Sequence, residues 1–342
     1  MDLSRRHIIG AGVAALSWGS ISGGCAAQDT KAISSGWDSS TPLPLAVQEI
    51  YPALHGDRVH QAGGFIATNG RISGPTNKHF SWTPGEAVWR EETSLPIARH
   101  HPQLISFKGH LLALAGFESR DAQSVWIMQK SGWVLGKDNQ WNTVPDLPAP
   151  CGEAVLAITG DGHLHLAGGR TPQGENNKSW QDHSDTDHHF VLDKLSGNWE
   201  RVAPCLSKRN SAAGDIINGA FHIVGGRQVG GGNVATHEVY DHKEDRWRNA
   251  APMPQAQGGL AAAALGGELY AFGGEYFDNG GGVYPESWAY NPSTDSWEAL
   301  PDMLTPRHGL GAVRLGSDIY VIGGAKQASG VETSPIVESF TP

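Results

Sequence analysis

The sequence predicts an all-β protein of six tandem four-stranded units, and three observations carry that expectation. Six tryptophans each precede a glycine pair, or its degenerate form Ala115-Gly116, at a nearly fixed distance. Trp37 to Gly63, Trp89 to Ala115, Trp199 to Gly225, Trp247 to Gly273 and Trp297 to Gly323 are 26 residues apart, and Trp141 to Gly168 is 27. A phrase repeated in this way marks an array of like units, which allows one domain of 342 residues to exceed the usual ~250-residue limit. The composition agrees: 45 glycines, 12 tryptophans and 18% charged residues describe a turn-rich, aromatic-studded chain of many short strands.

The N-terminus stands apart from the array. Ser4-Arg5-Arg6-His7-Ile8-Ile9 precede a weakly hydrophobic run from Gly10 to Trp18 and small residues up to Cys25-Ala26-Ala27. That run is too short and too glycine-rich to span a membrane. Two consecutive arginines before an apolar stretch resemble a twin-arginine export signal. The expected organisation is a signal peptide over 1–27, a leader over 28–36 and a single propeller domain over 37–342, located in the periplasm or secreted. Ser22-Gly23-Gly24-Cys25 is an imperfect lipoprotein box, so a lipid anchor through Cys25 is the alternative to cleavage after Ala27. Cys151 and Cys205 then remain; they stand ten and six residues after their tryptophans, and this mismatch favours two inert thiols over a bridge. The net charge of −10 argues against a nucleic-acid partner. A small molecule, a glycan or a periplasmic protein remains as partner.

Each unit divides into four short strands. In the fifth these are Leu260 to Leu265, Leu269 to Phe272, Ser287 to Tyr290 and Ser296 to Ala299, separated by Gly266-Gly267, the loop from Gly273 to Pro285, and Asn291-Pro292-Ser293-Thr294. Second strands such as Leu111 to Leu114, Phe221 to Val224 and Ile319 to Ile322 are continuous apolar runs, as expected of strands covered on both faces. The last unit has three strands and ends at Pro342 without a tryptophan. Trp37 is the missing piece, so the N-terminal strand is expected to pair with the segment around Phe340 and complete the sixth unit.

The glycine pairs, with Tyr240-Asp241 and Tyr290-Asn291 seven residues before Trp247 and Trp297, resemble the kelch family of β-propellers over residues 37–342. The resemblance implies a six-bladed kelch propeller with its variable loops gathered on one face around the axis. Sixteen residues before four of the glycine pairs stand Arg99, Arg209, Gln257 and Arg307, followed by His100, Asn210, Gly258 and His308. By resemblance, Arg99, His100, Arg209, Asn210, Arg307 and His308 face a central pocket. Arginines that pair with neighbouring carbonyls are the competing explanation.

Arg170, Arg227 and Glu275 follow directly on glycine pairs, and a planar guanidinium fork beside a carboxylate suits a carboxylated or polyhydroxylated ligand. Mutual salt-bridging would account for them equally well. The blade-three loop 170–189 carries Trp180, suited to stacking on a sugar or on the neighbouring blade, together with Asp182, His183, Asp185, Asp187, His188 and His189. Their spacing fits no metal motif, so neither a metal nor another cofactor is expected. The fifth loop adds Tyr284 as a stacking surface. His55, His60, His110, His163, His165 and His222 are expected to be structural or solvated.

The exported N-acetylneuraminate epimerases, or sialate mutarotases, are six-bladed kelch propellers that this chain resembles. Their motif places a Glu straight after the glycine and an Arg six residues later; Glu275 matches the first position, and Gly281 stands at the second. The resemblance implies a carbohydrate or sugar-acid ligand, with Glu275 and His308 as general acid and base and arginines holding an anionic group. A non-catalytic propeller that binds a glycan or a protein is the alternative.

Overall fold

The computed structural model describes residues 36–69 and 71–342; the expected signal peptide, almost all of the leader, and Cys25 lie outside the described residues. The described residues form six antiparallel four-stranded sheets. Blade five is Ala261–Leu265, Glu268–Phe272, Ser287–Asn291 and Ser296–Leu300, within a residue of the strands read from its turn signals. The first strands, Ala53–His55, Gln103–Phe107, Val155–Ile158, Ala213–Ile217, Ala261–Leu265 and Gly311–Leu315, adjoin one another in sequence order. The last of them returns to the first, so the sheets close into a ring. Second strands are buried along their length, as their apolar runs require.

Closure follows the expected route. Gly36–Ser39 pairs with Val337–Thr341, and Trp37 lies opposite Phe340 as Trp297 lies opposite Tyr290. The fixed tryptophan spacing has a physical reason. Trp37, Trp89, Trp141, Trp247 and Trp297 each donate their indole N–H at 2.8–3.0 Å to a carbonyl of the preceding blade: Pro301, Thr41, Thr93, Ala203 and Ala251. Each acceptor lies four residues past the previous tryptophan. Trp199 follows the one irregular interval, and its buried indole N–H has no such partner.

Three blades carry a second internal device. His60 and His79, His165 and His189, and His222 and His237 join second to third strands at 2.9, 2.8 and 3.0 Å. These histidines are structural, as expected. Cys151 and Cys205 are free and buried, and burial pushes both thiols up to about 12.

Candidate functional site

The loop face is built from two residue positions per blade that lead into the axis. The residue after each glycine pair forms a β-bridge or short pairing with the residue after the arginine position: Phe117 with His100, Arg170 with Gly152, Arg227 with Asn210, Glu275 with Gly258 and Ala325 with His308. One residue further on, the chain reaches the axis itself. Glu49, His101, Glu153, Ser211, Gly259 and Gly309 occupy this position, all with φ between 51° and 70°. Their backbones are linked around the axis: Glu49 N–H donates to Gly309 C=O, His101 to Glu49, Ser211 to Glu153, Gly259 to Ser211 and Gly309 to Gly259, at 2.6–3.1 Å. Glycine at 259 and 309 leaves space for two side chains. A Cβ there would lie 2.8 Å from Arg227 Nη2 and from Glu49 Oε1, respectively. Beyond the ring, on the opposite side, the first strands enclose a channel of about 620 Å³.

The side chains over this ring form a run of alternating bases and acids, an axial circuit that begins at Arg227 and ends at Arg170. Arg227 Nη2 bonds Glu275 Oε1 at 2.8 Å, and His308 Nδ1 lies 3.4 Å from that same oxygen. Glu49 Oε1 lies 3.6 Å from His308 Nδ1, and Glu49 Oε2 lies 2.9 Å from His101 Nε2. His101 is 3.7 Å from Glu153, whose other oxygen is 3.9 Å from Arg170 Nη1. Burial pushes the Glu49 carboxyl up, but His101, then His308 and Arg227, outweigh it and hold it down at about 2. Several polar atoms of this circuit are buried without a partner: Glu153 Oε2, Arg170 Nε and Nη1, Arg227 Nε and His308 Nδ1. Buried polar groups are ordinarily hydrogen-bonded, so such a concentration points to a bound polar molecule. The blade-six loop covers the circuit, with Ser329 N–H donating to Glu275 Oε2 at 2.7 Å and Ser329 C=O accepting from His308 Nε2 at 2.8 Å.

The candidates taken from the sequence separate into two groups. Arg170, Arg227, Glu275 and His308 come together over the axis. Arg99, Arg209 and Arg307 do not join them. Arg99 bonds Glu118 at 3.0 Å and the carbonyls of Ala115 and Ser131; Arg209 bonds Glu238 at 2.8 Å and the Ile223 carbonyl. Arg307 bonds Glu338 at 2.9 Å and the carbonyls of Gly323 and Thr305. His100 is sandwiched between Phe65 and Phe117 at 3.8 and 4.9 Å, and Asn210 donates to Asp185 at 2.5 Å. The Arg170 guanidinium lies 4.0 Å over the ring of Trp180 in its own blade, while Tyr284 packs on Tyr276 at 5.0 Å. No group of His, Cys, Asp and Glu among the described residues is arranged to hold a metal ion, and Asp182 and Asp185 of the loop have structural partners. Asp182 caps a short 3-10 turn from Trp180 to Asp182, and Asp185 accepts from Val229 N–H at 2.6 Å.

The description "Kelch motif" matches residues 258–304, the segment running from the blade-five axial turn through its fourth strand and tryptophan. The chain carries kelch repeats. Kelch-like protein terF of Aspergillus terreus is 27% identical over 71% of this chain and 53% of its own length. Beta-scruin of Limulus polyphemus is 29% identical over 57% of the chain and 19% of its own length. The chain thus spans about half of the first relative and a fifth of the second. The solved structure of YjhT superposes with a TM-score of 0.70 at 13% identity, covering 88% of this chain and 95% of that one, which establishes a likeness of fold. No helix among the described residues of this kelch propeller is long and apolar enough to cross a membrane.

Sequence reasoning passed over Glu49, His101 and Glu153. It stopped one residue short of the axis, at the position of His100, Asn210, Gly258 and His308, because nothing in a Glu or a His announces a left-handed backbone. The glycines at 259 and 309 were the available signal. Aligned by blade, they mark the position at which the chain turns over the axis.

Proposed function

We propose that this kelch propeller binds a carbohydrate over its axial ring and that His308 takes a proton from one of the sugar hydroxyls, the first step of mutarotation. The observation that carries this reading is the His308 imidazole. Its Nε2 donates to the Ser329 carbonyl, and its Nδ1 is buried without a hydrogen-bond partner beside the carboxylates of Glu275 and Glu49; in the neutral ring that this reading requires, Nδ1 carries the lone pair that takes the proton. An incoming O–H supplies the missing donor, and the two carboxylates accommodate the proton once it has been transferred.

The other unpartnered atoms favour a polyhydroxylated ligand. Glu153 Oε2 accepts, while Arg170 Nε and Nη1 and Arg227 Nε donate. A hydroxyl both donates and accepts, so a sugar meets this alternation directly. A carboxylate only accepts, and it would have to compete with Glu275 for Arg227. In the reaction the anomeric O–H bond breaks as Nδ1–H forms, and the C1–ring-oxygen bond breaks as C1=O forms. The negative charge left on the ring oxygen is met by the arginine donors, and reclosure on the opposite face of the carbonyl draws the proton back. Glu275 holds Arg227 and flanks His308. Access requires the Ser329 loop to lift, and Trp180, Tyr284 and the exposed Phe277 then provide the stacking surface.

Anomer-exchange NMR on neutral hexoses, uronic acids and sialic acid tests the reading. His308→Gln is expected to slow exchange by about 10²–10⁴-fold, the range of a lost general base. An unchanged rate sinks the assignment, and tight sugar binding without any exchange makes the protein a binding propeller. Export belongs to the same proposal, with the twin-arginine segment delivering a periplasmic or secreted protein. Fractionation of cells making the Arg5→Lys/Arg6→Lys variant should find it retained in the cytoplasm, and normal export of that variant would remove the signal assignment.

A further inference from the structure

His101 has no part in that reading, yet its surroundings determine its state. It lies on the axial ring with a side chain 2% exposed and faces Glu49, Glu153 and His100, with Tyr51, Phe65, Phe117 and Trp126 around it. The protons can be counted from one end. The Val125 carbonyl only accepts, so His100 Nε2, 2.8 Å away, carries a hydrogen. Burial between two phenyl rings, and then His101 beside it, keep His100 well below its ordinary range, so it is neutral and its Nδ1 is a lone pair. His101 Nδ1 lies 2.7 Å from that lone pair and must carry a hydrogen of its own. On its other side His101 Nε2 lies 2.9 Å from Glu49 Oε2, where an imidazole lone pair would set two acceptors in contact. A hydrogen therefore belongs at this nitrogen too.

We infer that His101 is a resident imidazolium, a stored proton at the axis that balances Glu49 and Glu153. With it the circuit holds three carboxylates, Glu49, Glu153 and Glu275, against three cations, His101, Arg170 and Arg227. His308 is then left as the one unprotonated base. Glu49 connects the two imidazoles, one oxygen 2.9 Å from His101 and the other 3.6 Å from His308. While His101 supplies the proton that Glu49 needs, Glu49 does not draw one onto His308. His101 is in this sense a positioning residue for His308; that role rests on the proposed function, whereas the protonation itself does not.

Imidazole nitrogen NMR of the ligand-free protein, labelled with 15N-histidine, tests the protonation without any sugar. At about pH 8, well above the ordinary histidine value of ~6.5, one imidazole is expected to retain hydrogens on both nitrogens. This signal should vanish in His101→Asn and become that of a neutral imidazole in Glu49→Gln, which also serves if His101→Asn fails to fold. A wild-type spectrum containing only neutral imidazoles at that pH overturns the inference, as does a doubly protonated signal that both variants leave untouched. Failure of anomer exchange with this signal present would remove the proposed function and leave the stored proton in place.

Discussion

Arg307→Ala is expected to lower the free energy of unfolding by about 3–5 kcal/mol, the cost of breaking a buried ion pair by removing one partner. The guanidinium is fully buried and serves several acceptors at once: the carboxylate of Glu338 at 2.9 Å and the carbonyls of Gly323 and Thr305, both at 2.8 Å. Alanine leaves Glu338, itself 2% exposed, with an uncompensated charge, and strands the Gly323 carbonyl at the sharp turn that ends the second strand. Arg209→Ala repeats the experiment one latch away, because Glu238 is 0% exposed and bonds Arg209 at 2.8 Å. Lysine should rescue either site poorly, since one ammonium cannot reproduce a planar fork aimed at a carboxylate and carbonyls. Denaturant unfolding measures all four variants. A loss below about 1 kcal/mol, accompanied by loss of sugar binding, would show that Arg307 serves the ligand and not the blade.

The contrast between these arginines and those over the axis explains what was legible beforehand. The scaffold is written in residue types with no substitute. Gly64 shows this: a Cβ there would sit 2.4 Å from Val47 and 2.8 Å from the Gln48 carbonyl. The indole N–H of Trp297 must reach the Ala251 carbonyl, which fixes one tryptophan per blade at a set distance. Constraints of that kind repeat, and repetition is visible in a sequence. The arginine positions repeat too, and for the same reason: Arg99, Arg209 and Arg307 tie a carbonyl in or just after the second strand, that of Ala115, Ile223 or Gly323, to an acid within the blade. Regular recurrence was thus evidence of scaffold, and the residues of the axial circuit are those that break it. Arg170, Arg227 and Glu275 occupy one repeat position with side chains of opposite charge, and Glu49, His101 and Glu153 occupy another. No spacing rule finds such residues, because each is selected by the charge beside it over the axis, in the next blade for Arg227 and Glu275 and in the same blade for Arg170 and Glu153. Gly281 illustrates the limit of analogy. Where the resemblance placed an arginine, the chain has a left-handed glycine with φ 74°, packed near Ala328, and the blade-six loop comes in over Glu275.

The histidine pairs should make this propeller acid-labile in a window that the carboxylates do not share. In each pair the third-strand ring, His79, His189 or His237, donates its Nδ1–H to a carbonyl, that of Thr93, Ala203 or Ala251. Its Nε2 is then a lone pair that accepts the Nδ1–H of His60, His165 or His222. All six rings are therefore neutral when folded. Burial is the leading cause that lowers them, to about 3 for His60, His189 and His222 and about 4 for His165 and His237. The unfolded chain binds these protons near the ordinary value of ~6.5, so between that pH and about 4 the unfolded state holds more protons and stability falls as pH falls. Each ring that stays neutral costs about 1.4 kcal/mol per pH unit below 6.5. Near pH 5 several such rings together approach the ~5–15 kcal/mol that holds a domain folded. The contribution of these six rings is accordingly level above about pH 7, and the melting temperature is expected to drop steeply below about pH 6. Glu49, depressed to about 2, adds to acid lability only below its ordinary 4.5, so the interval between these ranges reports the imidazoles alone. Thermal unfolding followed across pH, in the wild type and in a His222→Gln/His237→Gln double variant, checks this. The variant should show a shallower slope in that interval, and a wild-type melting temperature that stays level down to pH near 4 would mean that the buried pairs accept protons where they stand.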